Sequence, residues 1–157
     1  MDPIDALDAR ILLALDEDPD ATVLALARAL GVARNTVSAR MARMAAAGVL
    51  GEVSRRLDPG ALGYRTVAFV SIALSQASSE PTVAALRTVP EVVEMHSTTG
   101  EADLLLKVVA RDTDDLHRLT RSLLGVEGVV RTSTAISLAQ ELPTRYRELL
   151  VRVARGG

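Results

Sequence analysis

The chain has 157 residues, a formal net charge of −2 at pH 7 and no cysteine. Its length suits one ordinary domain or two small ones, and an apolar content of 48% favours a folded over a disordered chain. The absence of cysteine excludes disulfides and thiolate metal sites, and the net charge provides no global positive field that would indicate a nucleic-acid partner.

The N-terminal sequence MDPIDALDAR is acidic and lacks the basic region and the apolar stretch of a signal peptide. No apolar run approaches the ~20 residues needed to span a bilayer. We therefore expect no membrane partner. A cytoplasmic location is the expectation that also fits the missing cysteines, since the cytosol is reducing.

Up to about Pro59, apolar residues recur at helical spacing and predict three short helices. Their apolar stripes lie within residues 7–15, 23–30 and 37–44. Gly31 is placed to end the second helix, because glycine tolerates the positive φ of a helix C-terminus. The following segment, VLGEVSRRLDPG, predicts two short β runs. Three helices followed by a hairpin are the layout of a winged helix-turn-helix.

The third helix, RNTVSARMARMAAAG, has the composition of a helix that enters the major groove of DNA. With Val37, Met41 and Met44 turned inward, the opposite face carries Asn35, Thr36, Ala39, Ala42 and Arg43, with Ser38 at its edge. Asparagine and arginine make paired hydrogen bonds to adenine and guanine edges, and alanines let the helix backbone come close.

Positive charge is concentrated around this helix. The stretch from Arg28 to Arg56 has a net charge of +5, with Glu52 as its single acid. Its arginines are Arg28, Arg34, Arg40, Arg43, Arg55 and Arg56. Contacts to phosphates supply most non-specific DNA affinity, and Arg55 and Arg56 on the predicted wing are candidates for them. The alternative is an arginine-rich, solvated helix in an ordinary three-helix bundle.

The second half changes period and predicts the order β-α-β-β-α-β. The strands are TVAFVSIAL, VVEMHSTT, DLLLKVVA and VVRTSTAISL, and the helices are SSEPTVAALRTV and DTDDLHRLTRSLLG. Ser78 or Ser79 is expected to cap the first helix and Asp112 the second. This order is a split βαβ unit used twice, so the fold class is α+β, with a ferredoxin-like domain after the winged helix-turn-helix.

Both faces of the predicted sheet carry apolar residues, although two short helices cover only one face. Val67 and Phe69 alternate with Val70, Ile72 and Leu74 in the first strand. A large uncovered apolar face is unusual on a monomer. We therefore expect a second copy of the chain against it, most simply through two-fold symmetry.

The hairpin in MHSTTGEADLLLKV carries more polar groups than a turn requires. Hydroxyls of Thr98 and Thr99 precede Gly100, and Glu101, Ala102 and Asp103 follow it. One interpretation is a plain hairpin turn in which Gly100 adopts positive φ and Glu101 is solvated. The other is a site that holds a ligand.

Several of these segments together resemble the Lrp/AsnC family of bacterial transcription regulators. The resemblance rests on LDARIL, on TVSARMARM followed by GVL, and on the hairpin sequence GEADLLLK, and it covers nearly the whole chain. It implies a DNA-binding domain over residues 1–62 and a RAM domain over residues 63–157. Family members dimerise through the RAM sheet, often assemble into octamers or higher assemblies, bind double-stranded DNA and respond to amino-acid effectors.

The resemblance also implies which residues bind the effector. The ligand loop of the family corresponds to residues 98–104, where N–H groups near Gly100 are candidates for the effector carboxylate and Asp103 for its ammonium group. The full candidate set is Thr98, Thr99, Gly100, Glu101, Ala102, Asp103, Thr132 and Thr134. Two residues depart from the family pattern. Ala33 replaces the usual serine cap of the third helix, and Ala102 stands where relatives often carry an aromatic side chain.

The sequence argues against an enzyme and against an RNA-binding sheet. An enzyme is disfavoured because the sequence has no nucleophile–base–acid constellation and no phosphate-binding loop. An RNA-binding sheet stacks bases on aromatics, and this sheet offers only Phe69, in a strand expected to be buried. We expect no metal site and no cofactor other than an amino-acid effector. A ligand-sensing or scaffolding oligomer without DNA-regulatory activity is the remaining alternative.

Overall fold

The computed structural model describes residues 4–51, 53–75 and 79–156, and the chain divides into two compact units. Unit 1 consists of Met1–Arg56 and Leu142–Gly157, and unit 2 of Leu57–Glu141. The helices are α1 (Ala6–Glu17), α2 (Val23–Leu30), α3 (Arg34–Ala46), α4 (Ser79–Arg87), α5 (Thr113–Leu124) and α6 (Arg147–Ala154). The strands are β1 (Thr66–Leu74), β2 (Val92–Ser97), β3 (Leu104–Ala110) and β4 (Val129–Ile136).

Helices α2 and α3 of unit 1 form the predicted helix-turn-helix. Gly31 has φ +69°, and the N–H of Val32 donates to the carbonyl oxygen of Ala27 at 3.0 Å. These contacts satisfy carbonyls that the end of α2 would otherwise leave open, so the chain turns sharply into α3. The unit 1 core consists of the buried residues Ile11, Leu26, Ala27, Val37 and Met44. The inward stripe predicted for the third helix is therefore confirmed.

The prediction of a hairpin after α3 is wrong for the residues that the structure describes in this segment. Two short 3-10 helices, Val53–Arg56 and Pro59–Leu62, occupy this segment. The second is stabilised by Asp58, whose side chain accepts from the N–H of Gly60 at 2.9 Å, and by proline at its first position. An aspartate followed by proline favours a helical turn over a strand.

Helix α6 was not predicted, and it packs against α1. For this reason the residues from Leu142 onward group with unit 1, whereas the sequence placed all of 63–157 in the second domain. The chain thus leaves unit 1 after Arg56 and re-enters it at Leu142.

Unit 2 has the predicted ferredoxin-like fold. Its four strands lie in the order β2-β3-β1-β4, and every neighbouring pair is antiparallel. Helices α4 and α5 pack on one face and bury a core that includes Val70, Ile72, Leu106, Leu119 and Leu123. The capping prediction for α5 is confirmed, because Asp112 accepts from the N–H of Asp115 at 2.7 Å. Ser78 lies outside the described residues, and Ser79 is the first residue of α4.

The opposite, open face of the sheet is less apolar than expected. Phe69 of β1 pairs in register with Lys107 of β3 and with Ala135 of β4, so all three share this face. Lys107 lies 3.0 Å from the carboxylate of Glu94 on β2. In the single chain Phe69 is 41% exposed, whereas Ala68, Val70 and Ile72 of the same strand are completely buried against the helices. The second copy against this face remains a prediction.

Candidate DNA-binding helix and effector site

The outward face of α3 presents the side chains that the sequence singled out. Asn35, Ser38, Ala39 and Ala42 are exposed, as is Arg34 at the first position of the helix. Thr36 and Arg40 are half-buried, and the Arg43 side chain is 58% exposed. An open concavity runs along this face, lined by Asn35, Thr36, Ala39, Arg40 and Arg43.

Two aspartates of α1 hold the arginines at the edge of this face. The carboxylate of Asp8 is completely buried and accepts hydrogen bonds from the guanidinium groups of Arg40 and Arg43, with Arg40 Nη1 3.2 Å from its Oδ1. Asp5, the cap of α1, accepts from the same Nη1 of Arg40. Sequence reasoning therefore found the arginines but missed their partners.

Asp5 and Asp8 also cap α1 reciprocally. Oδ1 of Asp5 accepts from the N–H groups of Leu7 and Asp8, at 2.9 and 3.0 Å, and the N–H of Asp5 donates to Oδ2 of Asp8. The guanidinium of Arg40 lowers the pKa of Asp5 to about 2. The hydrogen bond that the Asp5 carboxylate accepts from the N–H of Asp8 also lowers this pKa. The signal in the sequence was an acid three residues after an acidic cap, immediately before an apolar run.

The start of α3 lacks a side-chain cap, as its sequence predicts. Ala33 occupies the cap position, and its carbonyl oxygen accepts from the N–H groups of Thr36 and Val37 at 3.0 and 3.3 Å. A serine would in addition accept a hydrogen bond through its side chain, which is worth about 1 kcal/mol.

The arginines predicted to position phosphates lie in the 3-10 helix Val53–Arg56 rather than on a hairpin. Arg56 is exposed, while the side chain of Arg55 lies outside what the structure describes. Their contact with the DNA backbone remains a prediction.

In unit 2, part of the polar hairpin serves to close the turn. Gly100 has φ +115°, as predicted for a turn glycine. The hydroxyl of Thr98 donates to the carbonyl oxygen of Ala102 at 2.8 Å, and the N–H of Thr98 donates to the carbonyl oxygen of Asp103 at 2.9 Å. Thr99, which is exposed, lies at the tip of the hairpin.

Asp103 ties this hairpin to the neighbouring strand. Its carboxylate accepts from the N–H of Leu74 at 2.7 Å, and its own N–H donates to the carbonyl oxygen of Ile72 at 2.9 Å. The strand register shifts between Ala73 and Leu74, so the carboxylate satisfies a donor at an irregular position of β1. One oxygen of Asp103 therefore has a structural role.

A small concavity of about 220 Å³ lies beside the hairpin, on the open face of the sheet. Its lining residues are Ser71, Ala73, Glu101, Ala102, Arg131 and Ser133. Glu101 and Ala102 thus come from the predicted set, whereas Arg131 and the two serines were missed. Thr132 and Thr134 pair in register with Ile72 and Val70 and share their helix-covered face, so the structure does not bring them to this concavity.

Within the described ranges, the histidines and acids form no group of three or more that would hold a metal ion. In the same part of the chain, no helix combines the length and the apolar character needed to cross a membrane.

Comparisons with known proteins agree with both halves of this description. A model of the AsnC-type helix-turn-helix domain matches residues 4–45, and a model of the Lrp/AsnC ligand binding domain matches residues 67–146. The chain is similar to regulatory protein AsnC of Escherichia coli, with 33% identity over 86% of this chain and 90% of that protein.

Solved structures give the same result. The structure of E. coli AsnC has a TM-score of 0.82 at 30% identity and covers 93% of this chain and 99% of its own. The Mycobacterium tuberculosis leucine response regulatory protein LrpA has a TM-score of 0.78 at 27% identity, over 90% and 97% of the two chains. The chain therefore belongs to the Lrp/AsnC family of transcriptional regulators and combines an AsnC-type helix-turn-helix domain with an Lrp/AsnC ligand binding domain.

Proposed function

We propose that this regulator reads double-stranded DNA with the outward face of α3, and that an amino-acid effector bound to unit 2 changes its assembly or its DNA affinity. The observation that carries the DNA-binding part is the composition of one exposed helix face. Small residues border Asn35 and Arg43 on a helix that directly follows the Gly31 turn.

The proposed contacts follow from the chemistry of that face. Asn35 forms a bidentate pair with an adenine edge and Arg43 with a guanine edge, while Ala39 and Ala42 let α3 enter the groove closely. The shorter side chains of Thr36 and Ser38 form hydrogen bonds to bases or phosphates through their hydroxyl groups. Arg34 and Arg40, together with Arg55 and Arg56 beyond the helix, contact phosphates and set the position of α3.

Fluorescence anisotropy tests this with labelled duplexes, one from the region upstream of the gene for this protein and one of unrelated sequence. We expect Asn35→Ala to weaken binding to the upstream duplex by about 1–3 kcal/mol and to leave binding to the unrelated duplex unchanged. Arg121→Ala, which changes an exposed residue of α5 in unit 2, is the control. If the wild-type protein shows no salt-dependent binding to either duplex, a ligand-sensing or scaffolding oligomer is the better description.

For the effector we propose the concavity beside the hairpin. A free amino acid carries a carboxylate, which Arg131 pairs in a bidentate manner, and an ammonium group, which Glu101 accepts. Thr98, Thr99, Gly100 and Asp103 shape the hairpin that presents Glu101 and Ala102. Since Ala102 is small, the pocket leaves space for the effector side chain. The name of LrpA, leucine response regulatory protein, supports an amino acid as the effector class.

Titration calorimetry with each of the twenty amino acids tests this site. We expect heat for at least one of them, and its loss in Arg131→Ala and Glu101→Ala. Arg87→Ala, in the last turn of α4, is the matched control because it removes an arginine of unit 2 that is not part of the concavity. An effector whose binding survives both substitutions binds elsewhere. Thr132→Ala and Thr134→Ala then test the helix-covered face.

We also propose that the regulator works as a homo-oligomer, at least a dimer and in higher form an octamer or a larger assembly. The support on the molecule is the open face of the sheet, where Phe69 is 41% exposed and Val67 and Leu105 are half-buried. Exposed aromatic and aliphatic side chains on one continuous face are typical of a surface that a second copy covers.

A further inference from the structure

The acids of α1 bring an unusual electrostatic arrangement to the proposed DNA-binding helix. Asp5 and Asp8 face Arg40 and Arg43, so two carboxylates neutralise two of the guanidinium groups near the reading face. The Asp5 side chain is 50% exposed and that of Asp8 is completely buried. We call the cluster of Asp5, Asp8, Arg40 and Arg43 the acid clamp. Its net charge is zero, although the sequence around α3 is strongly basic.

Neutralisation changes what an arginine contributes to DNA binding. Each unbalanced positive charge that meets a phosphate releases counterions and adds affinity for any sequence. A guanidinium that is already paired adds little of this non-specific affinity, while its remaining N–H donors still form directional hydrogen bonds. Arg43 is well placed to form such directional hydrogen bonds, because its side chain is 58% exposed although it pairs with Asp8.

The acid clamp also restricts the conformations of both arginines. Arg40 is held by Asp5 and Asp8 together, and Arg43 by the buried carboxylate of Asp8. Long arginine side chains lose conformational freedom when they bind, and prior restraint reduces that cost only for the geometry in which they are held. Restraint and neutralisation therefore act in the same direction, towards discrimination between sequences.

We infer that Asp5 and Asp8 are specificity-determining residues, which suppress non-specific attraction of α3 to DNA by neutralising Arg40 and Arg43, and that Asp8 orients Arg43 for a selective contact. This rests on the proposal that α3 contacts DNA. Specificity is a difference between two affinities, and lowering the affinity for unrelated sequences increases it as effectively as raising the affinity for the operator.

Asp5→Asn separates this role from a purely structural one. Asparagine is as good a helix cap as aspartate, so the hydrogen bonds to the start of α1 are kept while the charge beside Arg40 is removed. Asp112→Asn is the matched control. It changes the cap of α5 in unit 2, where the aspartate accepts from the N–H of Asp115.

The experiment measures affinity for the upstream and the unrelated duplex between 50 and 200 mM salt, in the full-length protein. For Asp5→Asn we expect tighter binding to the unrelated duplex and a logarithmic salt slope steeper by about 0.9, which is about a 3- to 4-fold larger loss of affinity over that range. The ratio of specific to non-specific affinity should fall, and Asp112→Asn should leave slope and ratio unchanged.

An unchanged slope together with an unchanged ratio in Asp5→Asn overturns the inference, and so does a ratio that rises. These outcomes are distinct from failure of the proposed DNA contact. If Asn35→Ala weakens binding to the upstream duplex while Asp5→Asn has no effect, α3 reads DNA and the acid clamp is merely structural. If neither the wild-type protein nor Asp5→Asn binds DNA in a salt-dependent manner, both proposals fall.

Discussion

The guanidinium of Arg147 lies 2.9 Å from the carboxylate of Glu17, although 130 residues separate them in sequence. This contact joins α6 to the end of α1 within unit 1. Both side chains are substantially exposed, so the pair itself contributes little. The half-buried apolar residues of α6, which include Leu150 and Val153, are the stronger reason for its position.

We predict that truncation after Glu141 destabilises unit 1 while unit 2 keeps its stability. Removing α6 exposes apolar surface of α1, with an expected cost on the order of 2 kcal/mol. Hydrogen exchange measured by mass spectrometry should show reduced protection in α1 and unchanged protection in β1 and β3. Arg147→Ala, the control for the ion pair, should cost less than about 1 kcal/mol. Unchanged protection of α1 in the truncated protein would contradict this prediction.

The acid clamp leads to a second prediction, on stability. Arg43→Ala should cost about 2–3 kcal/mol, because the carboxylate of Asp8, completely buried in the wild-type protein, loses one of its two charged partners. In the double variant Asp8→Asn with Arg43→Ala, the cost should be smaller than the sum of the two single changes, since no buried charge is left. Urea unfolding of the four proteins measures this coupling. Arg34→Ala, on the exposed start of α3, should change the unfolding free energy by less than about 0.5 kcal/mol.

The sequence predicted those parts of the molecule that depend on local pattern. Val37 and Met44 at helical spacing placed the inward face of α3, and alternation around Ile72 placed β1 in the sheet. The contact of Asp8 with Arg43 depends instead on how two helices pack, and no spacing within either helix reveals it. Helix α6 was missed although most of its residues are apolar, because it is only eight residues long and no capping side chain marks its start, where Tyr146 makes no side-chain cap hydrogen bond.

The candidate site was predictable to a similar degree. Gly100 was identified as a turn residue because the turn requires positive φ. Asp103, in contrast, was assigned to the ligand although its carboxylate accepts from the N–H of Leu74, a donor that the irregularity of β1 leaves there. Arg131 was missed because its position beside Glu101 arises from strand pairing, which the sequence does not specify to the residue.

A third prediction concerns acid stability. The guanidinium of Arg40 lowers the pKa of Asp5 from 3.8 to about 2 in the folded protein. A carboxyl group whose pKa falls on folding contributes stability above its unfolded pKa and loses that contribution as the pH falls through the folded value. We therefore expect wild-type unit 1 to lose stability between pH 4 and pH 2 more steeply than Asp5→Asn. Urea unfolding at several pH values between 4 and 2 measures the unfolding free energy of both proteins. If the two free energies fall in parallel with pH, protonation of Asp5 is not coupled to folding.

The last prediction tests self-association through the open face of the sheet. Phe69 shares this face with Lys107 and Ala135 and is 41% exposed, so a glutamate in its place should leave the folded unit intact. A charge that a second copy would have to bury opposes assembly, and the neighbouring Lys107 already pairs with Glu94 at 3.0 Å. We expect light scattering to give a lower mass for Phe69→Glu than for the wild-type protein at equal concentration.

Leu124→Glu provides the matched control for this experiment. Leu124 lies at the end of α5, on the helical side of unit 2, and is 48% exposed. The substitution therefore changes an apolar residue that is about as exposed as Phe69 but lies in the opposite layer. By light scattering, the Leu124→Glu variant should have the same mass as the wild-type protein. An equal loss of mass in both variants would point to general destabilisation, which circular dichroism distinguishes from loss of an interface. A wild-type protein that is monomeric at micromolar concentration would refute association through this face.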